Sequence, residues 1–514
     1  MCHADVYVSA EHHHVPSLTL SEQTQRRLLE ILPGFLVWST FIASIVLSFV
    51  RPLWVIYFVI LFDLYWVFRV VYSVPYLLAS WWRYRRDVRV DWHARAATTP
   101  GIDRIRQLIF LPTYTEDVSV IRATLEQILC STFPADRLMI VLAGEERDRE
   151  RFERNALVLA SEYDGKFLGF SATLHPKDLP NEIPGKGSNL QWSAREVVPH
   201  VLARGFSPDD VIVSSFDVDT IIHPNYFSCL ATTYLTTPNP TRSSYQPIPL
   251  YNNNLWESPA AVRVAMFGTT FWLMTELARP ERMMTFSSHS MSLRLLMDVG
   301  YWQKDIVSED SRIFLQGLVH YNGDYRVTPI YLPVSMDTVM SGKYWHALGA
   351  LYCQIRRWAW GVENFPYLAE QFRTHREIPL ATKIAYLWKQ LEGMYTWATA
   401  PILIFILGRL PFFVAPQHVR EAAIFQNTPF TLEWLMRIAM IGVFVSAGVS
   451  LTLLPPRPAH VSRGKTLIVA VLQWLLLPVT FVVFGAIPAI DAQTRLMFGM
   501  PLRFTVSPKR KTVV

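Results

Sequence analysis

The sequence predicts an α/β domain, with a mostly parallel sheet and helices on both faces, joined to an α-helical transmembrane region. Three observations lead to this prediction. Long apolar runs cluster towards the two ends of the chain, the middle alternates short apolar strands with amphipathic helices, and 51% of the 514 residues are hydrophobic. The chain is long enough for one sizeable domain in addition to membrane helices.

Two apolar runs near the N-terminus predict a transmembrane hairpin. Residues 32–50 carry no charge, and residues 53–74 are interrupted only by Asp63 and Arg69. Each run has about the ~20 residues that cross a bilayer core as a helix. The first run lacks a small-residue cleavage site and a second run follows at once, which argues against a removable signal. We expect residues 1–82 to form an N-terminal tail and this hairpin.

Basic residues flank the hairpin on both sides, at Arg26, Arg27, Arg83, Arg85, Arg86 and Arg89. The positive-inside tendency then places the N-terminus and residues 83–340 in the cytosol, with the helices in the plasma (inner) membrane. These arginines account for much of the net charge of +6, so no nucleic-acid partner is expected. Four scattered cysteines without metal-type spacing favour reduced thiols: Cys2, Cys130, Cys229 and Cys353.

Three further apolar runs lie after the middle domain, at residues 393–414, 438–454 and 466–487. We assign residues 381–490 to C-terminal transmembrane helices. Two spans before the middle domain and three after it would leave the basic C-terminus outside, against the positive-inside tendency. Either the last run is a re-entrant or interfacial hairpin, or residues 381–414 hold two passes. Pro478 and Gly485 interrupt the last run and favour the hairpin.

The middle of the chain alternates strands and helices. Buried-strand candidates occur at residues 108–112, 138–142 and 211–216. Apolar residues at helical spacing occur between them, at residues 118–129 and 151–163. Asp117 is placed to cap the first helix. Strands that alternate with helices favour a parallel sheet, and ligands of such sheets bind beyond the carboxyl ends of the strands. All three strands run into polar or acidic loops, where we therefore expect the chemistry.

Asp217 and Asp219 follow the third strand, one residue apart. Because side chains alternate along a strand, the two carboxylates can face the same way. Adjacent carboxylates repel unless a cation neutralises them, and their hard oxygen ligands suit Mg²⁺ or Mn²⁺. Such a metal would hold a diphosphate and neutralise a leaving group. The alternative is an ordinary acidic turn.

Glu309 and Asp310 follow Ser308, just before the apolar stretch at residues 313–318. One interpretation is a helix N-terminus, where acids are favoured by the helix dipole. The other is catalytic, since a carboxylate here can take the proton from an attacking sugar hydroxyl.

Gln354, Arg357 and Trp358 fall on one face of a helix, at positions i, i+3 and i+4. A guanidinium beside an indole suits phosphate binding next to sugar stacking. An interfacial amphipathic helix with Trp and Arg at headgroup level is the alternative, and both can hold together. We assign residues 341–380 to interfacial amphipathic helices.

The order Asp-x-Asp, Glu-Asp, Gln-x-x-Arg-Trp between membrane helices resembles the family 2 glycosyltransferases, in particular the processive membrane type that includes cellulose, hyaluronan and chitin synthases. The resemblance implies a GT-A fold and inverting hexosyl transfer from a nucleoside diphosphate sugar, such as a UDP-sugar, to a growing polysaccharide. A single transfer to a lipid acceptor is the alternative, and a non-catalytic membrane scaffold is the least favoured. The implied partners are the donor, a glycan or lipid acceptor, the membrane and an accessory export subunit.

The resemblance also implies roles for the acidic residues. Asp219 is expected to be the main ligand of Mg²⁺ or Mn²⁺, with Asp217 supporting the metal and the diphosphate. Asp310 is expected to be the general base, with Glu309 beside it.

Further residues are implied to bind the nucleotide. Residues 185–190 are similar to the family's Lys-x-x-x-Leu-Asn region, in which Lys186 would help to hold the nucleotide. Thr113 and Tyr114 match the loop that lines the nucleoside. The family has Asp at the end of the second strand, and here Glu145 or Glu146 must take its place.

The remaining motifs lie towards the C-terminus. Gln354, Arg357 and Trp358 are implied to lie over the diphosphate and the acceptor sugar. Residues 504–509 resemble the Phe-x-Val-Thr-x-Lys gating loop of cellulose synthases, with Ser507 in place of Thr. We therefore expect Ser507 and Lys509 to contact bound nucleotide, and we assign residues 491–514 to a gating-loop-like basic tail. A basic tail attracted to anionic lipid is the alternative.

Overall fold

The computed structural model describes residues 20–340, 343–458, 463–500 and 502. The strands are β1 (Arg106–Pro112), β2 (Leu138–Glu145), β3 (Gly169–His175), β4 (Val211–Ser215), β5 (Ile221–Ile222), β6 (Ser243–Tyr251), β7 (His289–Ser292) and β8 (Arg326–Met336). The helices are α1 (Leu20–Val50), α2 (Pro52–Asp87), α3 (Trp92–Ala97), α4 (Val118–Leu129), α5 (Arg149–Glu162), α6 (Lys186–Ala203), α7 (Tyr226–Thr236), α8 (Ala260–Leu277), α9 (Leu293–Asp298), α10 (Glu309–His320), α11 (Tyr344–Ala359), α12 (Asn364–Thr374), α13 (Leu380–Phe405), α14 (Leu410–Val414), α15 (Gln417–Arg420), α16 (Ala423–Thr452), α17 (Arg463–Leu472), α18 (Leu477–Thr480) and α19 (Ile487–Met497).

One mixed sheet runs through the middle domain in the order β3-β2-β1-β4-β7-β6-β8-β5. Its first four strands are parallel, β7 is antiparallel to both β4 and β6, and β6 is parallel to β8. The three strands predicted from sequence are the neighbours β2, β1 and β4. Their residues are almost all buried, which is why apolar content alone reveals them. The carboxyl ends of these strands meet at one edge of the sheet.

Helices cover both faces of the sheet, as predicted. On β1, Leu108 and Phe110 join one core with α6, α8 and α10, whereas Ile109 and Leu111 join a second core with α4, α5 and α7. Alternate residues of a strand point to opposite faces, so this one strand serves both cores. The sheet and its helices form the α/β domain.

The α4 helix begins where the sequence predicts it to begin. Asp117 precedes the helix, and its carboxylate accepts a hydrogen bond of 2.9 Å from the backbone N–H of Ser119. This cap satisfies one of the backbone donors that a helix leaves free at its start. A short loop, residues 113–117, therefore joins β1 to α4 at the edge formed by the carboxyl ends of the parallel strands.

Four helical segments in the described ranges are long and apolar enough to cross a membrane: Ser21–Val50, Pro52–Asp87, Ala423–Thr452 and Ile468–Met497. The segments Leu380–Phe405 and Leu407–Val414 pass the same test together but are bent by 40° at a short break, as in a broken span or a re-entrant loop. One of these candidate spans, α2, packs onto the α/β domain. Arg83, near the end of α2, donates a hydrogen bond of 2.6 Å to the hydroxyl of Tyr331 in β8.

The structure and the sequence prediction place the interruption in different C-terminal apolar runs. We expected a hairpin at residues 466–487, but Ile468–Met497 is one helical segment. Pro478 lies in the first turn of α18, where its missing N–H is tolerated, and a π-helical turn continues the segment into α19. The break lies instead near Gly408, where a Cβ would come within 2.9 Å of Val59 in α2. Close packing against α2 accompanies this bend.

Candidate active site

A small cleft opens at the carboxyl ends of β1 and β2. Thr113, Tyr114 and Glu145, which we expect to lie near the nucleoside, all line this cleft. Glu145 is buried and pairs with Arg147, whose guanidinium lies 4.9 Å from the centre of the Tyr114 ring. Glu146 instead accepts hydrogen bonds from Arg149 and from the backbone of Lys177. Of the two acids, Glu145 is therefore the one that lines the cleft.

Lys186, the first residue of α6, is the centre of the acidic cluster. Its ammonium lies 3.1 Å from Asp217, 3.0 Å from Asp310 and 3.8 Å from Glu309. The close approach of α6 to α10 depends on Gly187. A Cβ at that position would lie 2.9 Å from the backbone oxygen of Gln303 and 3.1 Å from Glu309. Three acids from two distant motifs thus share one positive charge.

The charges of this cluster are strongly coupled. Burial lowers the pKa of Lys186, but Asp217, Asp310 and Glu309 more than offset this effect, so that its pKa lies above the usual range. Burial and the neighbouring Asp310 raise the pKa of Glu309, Lys186 opposes them, and the net result is a pKa of about 8. Lys186 is therefore cationic at neutral pH, while Glu309 holds a proton there for much of the time.

Asp217 and Asp219 are not equivalent. The Asp217 side chain is 31% exposed, and its second oxygen accepts a hydrogen bond of 2.8 Å from Ser287. Asp219 is fully buried and accepts a hydrogen bond of 2.9 Å from the backbone N–H of Asp337. The strand-alternation argument does not apply because β4 ends at Ser215 and both aspartates lie in the turn that follows. Of these two aspartates, Asp217 is the one with a partly exposed carboxylate.

Tyr251, the last residue of β6, links the α11 helix to the acidic cluster. The rings of Tyr251 and Trp358 lie 5.7 Å apart at 44°. Burial raises the pKa of Tyr251, as do the carboxylates of Asp217, Asp219 and Asp310, whereas Arg357 lowers it. The carboxylates and the guanidinium of Arg357 are thus near enough to act on one hydroxyl. Gln354 is buried in the same helix.

Exposure along α11 matches the interfacial interpretation as well. Trp345, in the first turn of the helix, is 79% exposed, whereas Leu351 and Ile355 pack against α8. The helix therefore has one exposed aromatic end and one end at the acidic cluster. The two interpretations of this segment are compatible.

The sequence of the middle and C-terminal parts of the chain matches the model of the glycosyl transferase family group 2 over residues 212–487, more than half of the chain. The chain belongs to this family. Family membership makes it a glycosyltransferase that uses a nucleotide-sugar donor, and the mixed sheet with helices on both faces is its GT-A-like domain.

Solved structures resemble this glycosyltransferase at low identity. The mannosyltransferase PcManGT from Pyrobaculum calidifontis, in complex with GDP-Man and Mn²⁺, is 16% identical, with 74% of this chain and 98% of that chain covered and a TM-score of 0.39. S. aureus TarS residues 1–349 in complex with UDP-GlcNAc is 12% identical, with 70% and 95% covered and a TM-score of 0.28. No curated protein matches the chain.

Several residues at the candidate site were not predicted. Tyr251, Ser287 and Asp337 all touch or border the aspartates, and none of them belongs to a motif assigned from the sequence. Ser287 holds Asp217 through its hydroxyl. The next residue, Ser288, adopts a φ of +63°, a conformation that glycine reaches without strain. The backbone therefore turns directly after the residue that holds Asp217.

Two roles are open to His289, which lies beside Asp310: a substrate contact or a structural histidine. The structure buries it fully, with Nδ1 2.9 Å from the carbonyl oxygen of Phe286 and 3.7 Å from Asp310. The backbone contact supports the structural interpretation of this histidine.

Ser507 and Lys509, predicted to contact nucleotide, lie outside the described residues, as does the whole of residues 503–514. The preceding helix α19 is held at its end by Arg27, whose guanidinium donates hydrogen bonds to the carbonyl oxygens of Leu496, at 2.9 Å, and of Met497. The role of the tail remains a prediction.

Proposed function

We propose that this glycosyltransferase transfers a hexosyl unit, with inversion, from a nucleoside diphosphate sugar such as a UDP-sugar to a growing polysaccharide at the cytosolic face of the plasma (inner) membrane. One observation carries the proposal. Lys186 brings together the Asp-x-Asp and Glu-Asp motifs within 3.8 Å of its ammonium, at the edge of the sheet where α/β domains bind ligands.

Asp310 is the proposed general base. Lys186 contacts both of its oxygens, at 3.0 and 3.1 Å, and so fixes the position of the carboxyl group that we assign to accept a proton from the acceptor hydroxyl. Glu309, buried and with a raised pKa, is the poorer base of the pair at neutral pH. A direct displacement assisted by one base inverts the anomeric carbon.

The cations and rings around the cluster serve the two substrates. We assign Lys186 and Arg357 to the diphosphate, because their charges oppose the one that develops on the leaving group. We assign Trp358 and Tyr251 to the acceptor sugar, since two neighbouring rings form a stacking surface beside the base. Thr113, Tyr114 and Glu145 line the cleft that we assign to the nucleoside.

Mg²⁺ or Mn²⁺ is the proposed cofactor. Within the described residues, no group of three His, Cys, Asp or Glu side chains is arranged to hold a metal ion. The partly exposed Asp217, with Asp219 behind it, nevertheless offers hard oxygen ligands that fit such an ion when a diphosphate supplies further oxygens. When bound, the ion neutralises charge on the diphosphate.

A single transfer to a lipid acceptor is the second candidate. The described residues after the α/β domain contain two candidate spans and one bent pair, which is few helices to enclose a polymer. Under this alternative the acceptor reaches the cluster from the membrane. A processive enzyme with so few helices would instead need an accessory export subunit.

Product sizing tests the proposal. The purified protein in lipid nanodiscs is incubated with a panel of labelled nucleotide sugars, with a glycan or lipid acceptor, and the products are extracted and sized. A high-mass glycan supports the polysaccharide assignment, and a lipid enlarged by one sugar supports the second candidate. The Asp310→Asn variant is the control for contaminating enzymes. Absence of product with every donor and acceptor would refute both candidates.

A further inference from the structure

Glu363 contacts the segment that carries the proposed base, although it lies more than fifty residues away in the sequence. One oxygen of its carboxylate accepts hydrogen bonds from the hydroxyl of Ser308, at 2.7 Å, and from the backbone N–H groups of Ser308 and Val307, at 3.3 and 3.4 Å. The other oxygen accepts a hydrogen bond of 2.9 Å from Trp360 Nε1. Glu363 therefore holds the two residues that precede Glu309.

Glu363 lies just after α11, the helix that carries Arg357 and Trp358. It ends the helical turn Trp360–Glu363, which directly continues α11. The same short stretch of chain thus carries Arg357 and Trp358 and reaches across to the start of α10. The Ser308 hydroxyl, at the N-cap position of α10, donates to Glu363. A carboxylate near this helix N-terminus is also favoured by the helix dipole.

Neighbouring polar groups reinforce the connection. Arg312 in α10 is buried, and it donates from Nε to Asn364 at 2.8 Å and from Nη2 to the carbonyl oxygen of Glu363 at 3.4 Å. Asn364 in turn donates to the hydroxyl of Ser311 at 2.9 Å. Each of these bonds joins α10 to the junction of α11 and α12. Buried networks of this kind rigidify the elements that they join.

We propose that Glu363 is a positioning residue, which fixes the proposed base Asp310 relative to the diphosphate-binding face of α11. The inference rests on the proposed function, because it takes Asp310 as the general base and Arg357 as a residue that binds the diphosphate. Glu363 itself touches neither substrate. Its removal leaves Lys186, Asp217 and Asp310 chemically intact but frees the segment that sets where the base stands.

The expected effect is a loss of turnover with little loss of donor binding. A misplacement of about 1 Å at a reacting group can cost roughly 10²-fold in rate. We therefore expect Glu363→Ala to lower kcat by about 10²-fold while the donor KM changes by less than about threefold. Glu363→Gln keeps one carbonyl oxygen for Ser308 and should recover part of the loss, because only the Trp360 contact is sacrificed.

Glu276→Gln is the matched control. Glu276 is also buried and held by polar partners, with Lys389 Nζ at 3.0 Å and Arg282 Nε at 3.8 Å, but it contacts none of the site residues. The control should lower thermal stability as much as Glu363→Gln does and leave kcat within about threefold of the wild type. A loss of kcat in the control equal to that of Glu363→Gln would mean that destabilisation alone explains the effect, and would overturn the inference.

Hydrogen–deuterium exchange of the full-length protein separates the inference from the proposed function. In Glu363→Ala, peptides that cover residues 305–310 should exchange faster than in the wild type, because two backbone N–H groups lose their acceptor. Unchanged exchange there, or a kcat within about threefold of the wild type, would overturn the positioning role and leave the proposed function standing. Wild-type protein without turnover of any donor would refute the proposed function, whereas the exchange result would still report on the contact itself.

Discussion

Replacement of Lys186 by methionine is the most informative perturbation of the acidic cluster. The substitution keeps an unbranched apolar stem of similar length and removes the charge. In the wild type that charge lies within 3.1 Å of Asp217 and Asp310 and 3.8 Å from Glu309, and the Lys186 side chain is only 11% exposed. Three acidic side chains would then remain together without their shared cation.

The expected loss of folding stability follows from the burial of these charges. Removing one member of a buried ion pair destabilises a protein by about 3–5 kcal/mol, because the partner is left charged and uncompensated. Since three carboxylates depend on Lys186, we expect a value near the upper end of that range at alkaline pH. The carboxylates can escape part of the cost by taking up protons.

The direction in which the stability deficit of Lys186→Met changes with pH follows from the pKa of Glu309. Without Lys186, the opposing effect on Glu309 is lost and its pKa rises further above the value of about 8. A carboxyl group whose pKa is higher in the folded than in the unfolded state loses stabilising free energy as the pH rises through that interval. The deficit of Lys186→Met relative to the wild type should therefore be larger at about pH 8.5 than at about pH 6.

Thermal unfolding in detergent, followed across this pH interval, measures the effect. Arg294→Met is the matched control, because Arg294 pairs with Asp209 at 2.8 Å and the two side chains are 41% and 53% exposed. An exposed pair of this kind contributes only about 0–1 kcal/mol, so the control should differ little from the wild type at any pH. A Lys186→Met deficit that is small, or that shrinks as the pH rises, would refute the electrostatic account of the cluster.

Asp310→Asn should lower transfer by about 10²–10⁴-fold with nucleotide affinity largely intact, measured by turnover and calorimetry, and an equal loss of affinity would make Asp310 a binding residue instead. Excess EDTA should abolish transfer, with Mn²⁺ or Mg²⁺ restoring it, and Asp219→Ala should lose the restoration; undiminished turnover in EDTA would contradict the proposed metal. Truncation after Met500 should abolish transfer in detergent if the tail closes over nucleotide, whereas full activity would leave it a lipid-attracted tail.

The strands and helices that the sequence predicted are those whose signal is local. β1, β2, β4 and α4 are found within a few residues of their predicted bounds, because buried apolar runs and a capping Asp117 act over short distances. β6 was not predicted. It contains Gln246, Pro247 and Pro249, which do not read as a buried strand, but the sheet accommodates them with a register shift between Gln246 and Ile248.

The candidate site shows the same division. The motif residues Asp217, Asp310 and Lys186 could be named from sequence because each motif is short and the order of the motifs is informative. Their convergence could not be derived, because it depends on contacts across the fold. Asp337 and Glu363 were missed for that reason, since the former contacts Asp219 and the latter contacts Ser308 only through tertiary packing.

A structure of the protein with a nucleoside diphosphate and Mn²⁺ tests the central claim most directly. We predict the nucleoside in the cleft lined by Thr113 and Glu145, the metal on Asp217 and Asp219, and the phosphates between Lys186 and Arg357. Asp310 should remain free of the phosphates, facing the acceptor side beside Trp358. A nucleotide bound elsewhere, or one with its phosphates remote from Lys186 and Asp217, would contradict the assignment of this cluster as the active site.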